Sequence, residues 1–573
     1  MNGVFLLLSG CAFFLIAYLF YSKFIAKCLG IDHSRPTPAH TMNDGVDFVP
    51  SNGAVLFGHH FATIAGAGPI IGPVLAAQFG WAAVALWVIL GCIFIGALHD
   101  MIALFLSVRH QGKSIGSIIE TVLGKKGKKI FLLFCLSALV LVMAEFTRQV
   151  ANAFLVYPEV ATSSLLAIGE AVVFGVCVYK FKMKVSVASF IFVPVLFLLV
   201  WAGTIFPIDL TSLFGLSLDQ ARITWIVIIL AYCFFASTLP VWLLLQPRDY
   251  LNSYLLYVML ILGVLGILFT FPTIQIDAFA GFAVANPKSG VLQHLFPLLF
   301  VTVACGACSG FHALVSSGTT SKQIDKESHI RPIGYGGMLV EGIVALIALI
   351  AVASLTQEEY MMQLKNSEPV QLFASNLAQF CVVLGFKKEI ATSFMMLSVA
   401  AFLMTSVDSC TRLARFTWQE LWTDSKKNEE GKTETETGFA LLMQNKYAST
   451  MVVVGIATYL LVGNPEISKN LWTLFASANQ MLAALTLLTA SLWLYKKLRN
   501  FWIALMPMLF MFITSGTAVA GLFKGNLDNW LKEGFQKGGV AAIASGILLI
   551  LAVALLILGA TNLRKLARER AKK

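Results

Sequence analysis

Charge is scarce in this sequence. Asp, Glu, Lys and Arg make up 12% of its 573 residues, about half the roughly 25% usual in soluble domains. With 58% hydrophobic residues and a mean hydropathy of +0.80, the composition excludes a water-soluble enzyme and points to a polytopic membrane protein. Every hydrophilic stretch is too short to build a core of its own, so no soluble domain is expected. Acidic residues are the scarcer sign, 30 against 41 basic ones, which leaves a net charge of +11. A nucleic-acid binder would gather that excess in a folded soluble domain. Here it is spread over short connections, as the positive-inside rule expects of cytoplasmic loops.

Signatures of chemistry are missing as well. Cys305 and Cys308 form a CxxC without a second pair to complete a zinc site, and all ten cysteines lie in or beside apolar segments, where they read as small buried hydrophobes. The stretch RHQGKSIG has Ser107 where a phosphate loop needs Gly, and no nucleotide-binding domain surrounds it. An ATP-driven pump within this chain is thereby removed. There is no HExxH, an intramembrane enzyme has no visible site, and neither a metal nor a cofactor is expected.

What is present is a series of apolar runs long enough to cross about 30 Å of hydrocarbon. They fall near 3–27, 54–78, 80–107, 129–154, 161–180, 186–206, 222–245, 251–271, 291–316, 334–355, 388–413, 447–463, 470–494, 500–522 and 539–562, about fifteen helices, with Pro369–Val383 as a further short or re-entrant piece. The first run, Val4–Tyr21, has Lys23 and Lys27 after it rather than before it, the wrong charge order for a cleaved signal. It is expected to be a spanning helix with the N-terminus outside. From there the loops alternate consistently. Basic connections such as Arg109–Lys129, Lys180–Lys184 and Lys322–Arg331 fall inside, acidic ones such as Gln357–Glu368 fall outside, and the tail Arg564–Lys573 is cytoplasmic. Asp424–Gly438 is mixed-charge and poor in apolar residues, so it reads as a flexible cytoplasmic loop.

Two of the runs are not plain spanning helices. Phe57–Pro73, FGHHFATIAGAGPIIGP, carries Gly66, Gly68 and Gly72, Pro69 and Pro73, and His59 and His60 at one end. His294–Thr320 carries Gly306, Gly310 and Gly318, His312 and a run of Ser and Thr. Broken helices at membrane depth belong inside protein or beside a water-filled cavity, and in transporters such breaks mark substrate sites. By the loop charges the two run in opposite directions, and five helices can be counted from each: 54–206, then 291–494. The expected organisation is all-α: a first helix and cytoplasmic loop (1–53), repeat 1 (54–206), a two-helix insert (207–290), repeat 2 (291–494), and two C-terminal helices with a basic tail (495–573). The alternative reading is that Gly and Ser here simply allow close helix packing.

Ionisable residues inside spans are costly and usually functional. They are His59, His60, His99 with Asp100, Glu145 with Arg148, Arg222, Glu341 and Asp408 with Arg412; Glu420 lies just past a helix, and His312 lies in the second broken run. Glu145 and Arg148, at i,i+3, can form a structural pair, or Arg148 can meet a substrate carboxylate. Asp408 can pair locally with Arg412 at i+4, or handle ions or protons with the hydroxyls around it. His59 and His60 point about 100° apart on a regular helix, so one ligand cannot take both. Asn479 and Gln480 either bond across helices or line the path.

Several long stretches resemble the carbon starvation protein A family: NDGVDFVPSNGAVLFGHHFATIAGAGPIIGPVLAAQFGW, FVTVACGACSGFHALVSSGTTSK, LPVWLLLQPRDYLN, TSVDSCTRLARF and NLWTLFASANQMLAAL, in order over roughly residues 40–495. The resemblance implies a bacterial inner-membrane transporter of peptides or of pyruvate, the latter by proton symport. It also implies kinship with the amino acid–polyamine–organocation superfamily and its LeuT-like five-plus-five inverted repeat, in a compact member without the C-terminal extension of longer ones. On this basis the substrate carboxylate is expected at N–H groups around Gly66, Ala67 and Gly68, facing Ser309 and Gly310, with His60 and Asp408 as the proton carriers. A membrane sensor that binds the nutrient and signals through inner loops such as 424–438 is the alternative of a different class. The sequence does not choose between peptide and pyruvate, and sets no oligomeric state.

Overall fold

Hydrocarbon offers backbone N–H and C=O groups no partner, so long apolar runs must close their hydrogen bonds within themselves. The computed structural model describes residues 1–45, 47–240, 242–423, 438–463, 467 and 470–571, with the side chain of Ala54 left aside. Among these residues are fourteen helices long and apolar enough to cross a membrane, and fifteen spans when the bent pair Val55–Ile64 and Gly68–Phe79 is taken as one. Each apolar run named above coincides with one of them. The short piece is a helix of its own, Pro369–Leu384. The loop expected at 424–438 lies outside the described residues except for Gly438.

The differences lie at the ends of elements. The span expected at 129–154 belongs to a helical stretch of 42 residues, Ile115–Val156, made of two helices joined across a kink at Gly124, where φ is 72°. Its basic residues Lys125–Lys129 are therefore helical rather than a loop. The helix Lys388–Trp422 likewise runs nine residues past its expected end at 413. Between spans, the stretch at 357–368 folds as a helix, Gln357–Asn366, whose N-terminus is closed by a reciprocal pair of bonds between Thr356 and Glu359. The only paired strands among the described residues form a hairpin of Ala283–Ala285 with Leu292–His294.

Burial sorts the spans into inner and outer. In Leu471–Lys496, 94% of the most apolar window is buried, against 11% in Val185–Ile205. The first is thus a central helix, and the second presents most of its surface outward. The central group also includes Ile115–Val156, Lys388–Trp422 and both interrupted spans, and Ile115–Val156 packs along Lys388–Trp422. These two are the third helices counted from the first and second interrupted spans respectively.

Candidate functional site at the crossing of two broken spans

The first interrupted span runs as helix from Gly53 to Ile64 and restarts at Gly68, with a bend of 45° between the halves. At the break the Ala65 N–H still reaches the Phe61 carbonyl (2.8 Å), and the Gly66 N–H turns back to Ile64 (2.7 Å). Ile70 and Ile71 then donate to the Ala67 carbonyl (3.1 and 2.8 Å) and start the second half, with Pro69 in its first turn. No hydrogen bond from the Ala67 or Gly68 N–H is formed among the described residues. Two amides therefore stand free at the positive end of a buried half-helix.

The second interrupted span is helical over Leu295–Val303, turns through Ala304–Gly306 and restarts at Phe311. Its amides at the restart are taken. Gly310 donates to the Asn479 carbonyl (3.1 Å), and Phe311 donates to the Asn479 side-chain oxygen (2.8 Å). The Asn479 amide nitrogen donates to the Ser309 hydroxyl at 3.1 Å and approaches the Cys305 sulfur at 3.2 Å. Gln480 donates to the Phe300 carbonyl at 2.6 Å. Both amides thus bond across helices, one of the two roles open to them in the sequence.

The two spans cross at their breaks. A Cβ on Gly72 would lie 2.7 Å from the Thr302 carbonyl oxygen and 2.9 Å from the Val303 Cα. One on Gly68 would lie 2.5 Å from the Cys305 sulfur, and one on Gly66 would lie 2.8 Å from the Ser406 hydroxyl, with Phe146 beyond at 3.6 Å. Glycine at 72 is required by this close backbone approach. Gly66, Ala67, Gly68, Cys305 and Ser309 are thereby gathered at one crossing, all buried. Gly310 is buried too, but it faces Asn479 and Ala483 rather than the first break. Phe146 and Phe475 meet edge to face beside the crossing, 5.3 Å between ring centres.

Close to the same crossing lies a chain of ionisable groups with no exposed surface. His99 Nδ1 is 2.8 Å from Asp100 Oδ1, Asp100 Oδ2 is 2.7 Å from His312 Nδ1, and His312 Nε2 is 3.2 Å from Glu341 Oε2. His312 stands one residue into the helix that follows the second break. His60, also fully buried, bonds through Nδ1 to the Thr320 hydroxyl (2.9 Å), and its Nε2 has no partner. Its neighbour His59 is half-buried, so the two part company as a helix requires. Each member of the chain was visible in the sequence as an intramembrane ionisable residue, but nothing local indicated that they meet.

Asp408 corrects an expectation. It does not pair with Arg412, whose guanidinium donates instead to the Leu239 carbonyl (2.6 Å). Asp408 pairs with Arg248 and accepts from the Tyr232 hydroxyl at 2.9 Å. Arg248 itself bonds to Tyr232 at 2.7 Å. Arg248 precedes the span expected at 251–271 and looked like a loop residue. The helix in fact begins at Leu245 and carries it into the bundle. The motif LPVWLLLQPRDYLN could have pointed to it, since a strong base beside a helix start is available to a buried acid. Glu145 and Arg148 do form their local pair, with contacts of 2.8 and 3.2 Å, and Gln149 adds a third bond to the same carboxylate (2.8 Å).

One end of the second interrupted span is covered by the segment after the first helix. Ser51 donates to the Gln323 carbonyl (3.0 Å), and the Asp32 N–H donates to the buried Glu327 carboxylate (2.7 Å). Arg109 also pairs with that carboxylate at 2.7 Å.

The family described as Carbon starvation protein CstA matches residues 2–368 and 361–518. "Peptide transporter CstA" of Helicobacter pylori (strain ATCC 700392 / 26695) is 34% identical, covering 91% of this chain and 82% of that protein. "Pyruvate/proton symporter BtsT" of Escherichia coli (strain K12) is 31% identical, over 90% of this chain and 81% of the other. Among solved structures, MhsT in complex with L-phenylalanine aligns with 88% of this chain and 99% of its own, at 12% identity and a TM-score of 0.45.

Proposed function

This chain belongs to the carbon starvation protein CstA family, and we propose that it is a secondary transporter that imports a small carboxylate-bearing nutrient, a peptide or pyruvate, by proton symport during carbon starvation. The peptide and pyruvate alternatives follow relatives named for each. The observation that carries the site is the pair of free amides, Ala67 and Gly68, at the crossing of two broken spans.

In this reading the solute carboxylate accepts from those two amides at the positive end of the half-helix. The Cys305 and Ser309 side chains close the opposite wall, and Phe146 covers the apolar part of the solute. Gly310 serves by letting Asn479 hold the second break rather than by touching solute. Residues 54–206 and 291–494 act as two oppositely threaded repeats that rock about the crossing. The protein sits in the bacterial inner membrane with its N-terminus outside and its C-terminus in the cytoplasm. His60 carries a proton. Asp408 is not retained as a carrier, because its charge is already matched by an arginine that keeps its own at any physiological pH.

Uptake of labelled pyruvate and of trialanine into proteoliposomes tests this. Accumulation of one of them that rises with an imposed inward proton gradient is expected. Uptake indifferent to the gradient would remove the proton, and binding of both without uptake of either would remove transport. Asp408→Asn is expected to keep its gradient dependence; losing it would return Asp408 to the mechanism.

A further inference from the structure

The chain His99–Asp100–His312–Glu341 poses a problem of charge. With both carboxylates ionised and His312 an imidazolium, the group carries one net negative charge in a place without solvent exposure. Among the described residues neither carboxylate pairs with a Lys or an Arg. The remaining titratable groups that face it from the packed elements are His60 on the first interrupted span, Cys92 before the helix that carries His99, and Cys305 and Cys308 at the second break. None is a permanent cation. A buried charge without a partner is strongly disfavoured, and it is relieved by a counter-charge, by water or by a proton.

The hydrogen bonds show where a proton would go. Asp100 is well served as a carboxylate, with a ring nitrogen on each oxygen at 2.8 and 2.7 Å. Glu341 is not. Neither of its oxygens has a partner in hydrogen-bond geometry, although His312 Nε2 lies 3.2 Å from one of them. We propose that Glu341, linked to the second break through His312, which Asp100 holds from its other side, is the station of the co-transported proton. In the conformation seen here the Glu341 carboxylate has taken a proton from hydronium, leaving water, and the cluster is neutral. When the crossing opens, water reaches the group, and the carboxylic acid returns its proton to water and is left ionised and hydrated. Closing without a proton would bury the net charge, so closure and protonation are linked, and His312 ties that linkage to the break that helps form the solute site. The assignment rests on the proton-symport reading above, and it adds a named buried acceptor to the carrier role given there to His60.

Two measurements test it separately. The first needs no solute: infrared spectra of the purified protein in detergent, titrated with pH. A protonated-carboxyl C=O band that titrates in the wild type is expected to be lost in Glu341→Gln and kept in Asp249→Asn, a change at another buried carboxyl. An unchanged spectrum in Glu341→Gln overturns the assignment whether or not the protein transports anything. The second is the ratio of pyruvate or trialanine uptake with and without a proton gradient. It should fall about tenfold in Glu341→Gln, within the range typical of coupling between sites. Asp100→Asn should lower it as well, which covers the case in which one variant is poorly produced. A ratio preserved in both variants overturns the assignment. Absence of uptake by the wild type would count against the transport reading, while the infrared result would still decide the acceptor.

Discussion

The two breaks are built from similar residues and end up in different states. At the first, Ala67 and Gly68 keep free amides. At the second, the equivalent groups of Gly310 and Phe311 are filled by Asn479 from a neighbouring helix. The first has no ionisable side chain at the turn itself, whereas the second is followed directly by His312 set between two buried carboxylates. The contrast suggests a division of labour. An open helix end is a receptor for a negative group, while a filled one is a fixed pivot that can carry a charge-sensitive relay. If the solute binds as proposed, the free amides mark its site, while glycine content, which the two spans share, does not.

Four substitutions test that contrast. Gly72→Ala should have the largest effect on stability, because its Cβ would meet main-chain atoms of residues 302 and 303 that cannot move aside independently. A loss of about 3 kcal/mol is expected from such overpacking, measured by thermal unfolding in detergent; a neutral result would mean that the spans do not cross this closely. Asn479→Ala should come next, at about 2 kcal/mol, since it leaves the buried Phe311 amide without an acceptor. If stability is unchanged, the second break is not pinned and the distinction between the two fails.

Gly68→Ala should destabilise less, by about 1 kcal/mol, because the atoms it meets belong to the Cys305 side chain. Its mark should be on transport instead: the KM for the accepted solute should rise, as the new methyl group sits beside the free amides. An unaltered KM would place the carboxylate elsewhere. The smallest effect should come from Asp219→Ala, at the exposed pair with Arg222. Less than about 0.5 kcal/mol is expected there, with uptake unchanged, which marks the buried groups as the ones that matter.

Much of this architecture was readable in advance. The fifteen apolar runs and the two interruptions appear where composition placed them, because spanning helices depend on local hydropathy and breaks on local Gly and Pro. Helix ends were less legible. The run at 129–154 hid a start at Ile115, since helical structure can extend past the apolar stretch that hydropathy reads, here across a kink at Gly124. Arg248 was missed for the same reason.

Membership of the membrane, the number of crossings and the position of the two interruptions were fixed by neighbouring residues along the chain, whose apolarity decides where each segment is soluble. Which charges neutralise one another was not. Asp408 finds Arg248 at a separation of 160 residues, and Asp100 finds His312 at 212. Burial makes an unmatched charge intolerable without saying which partner will answer it, and only the packing of distant helices makes that choice.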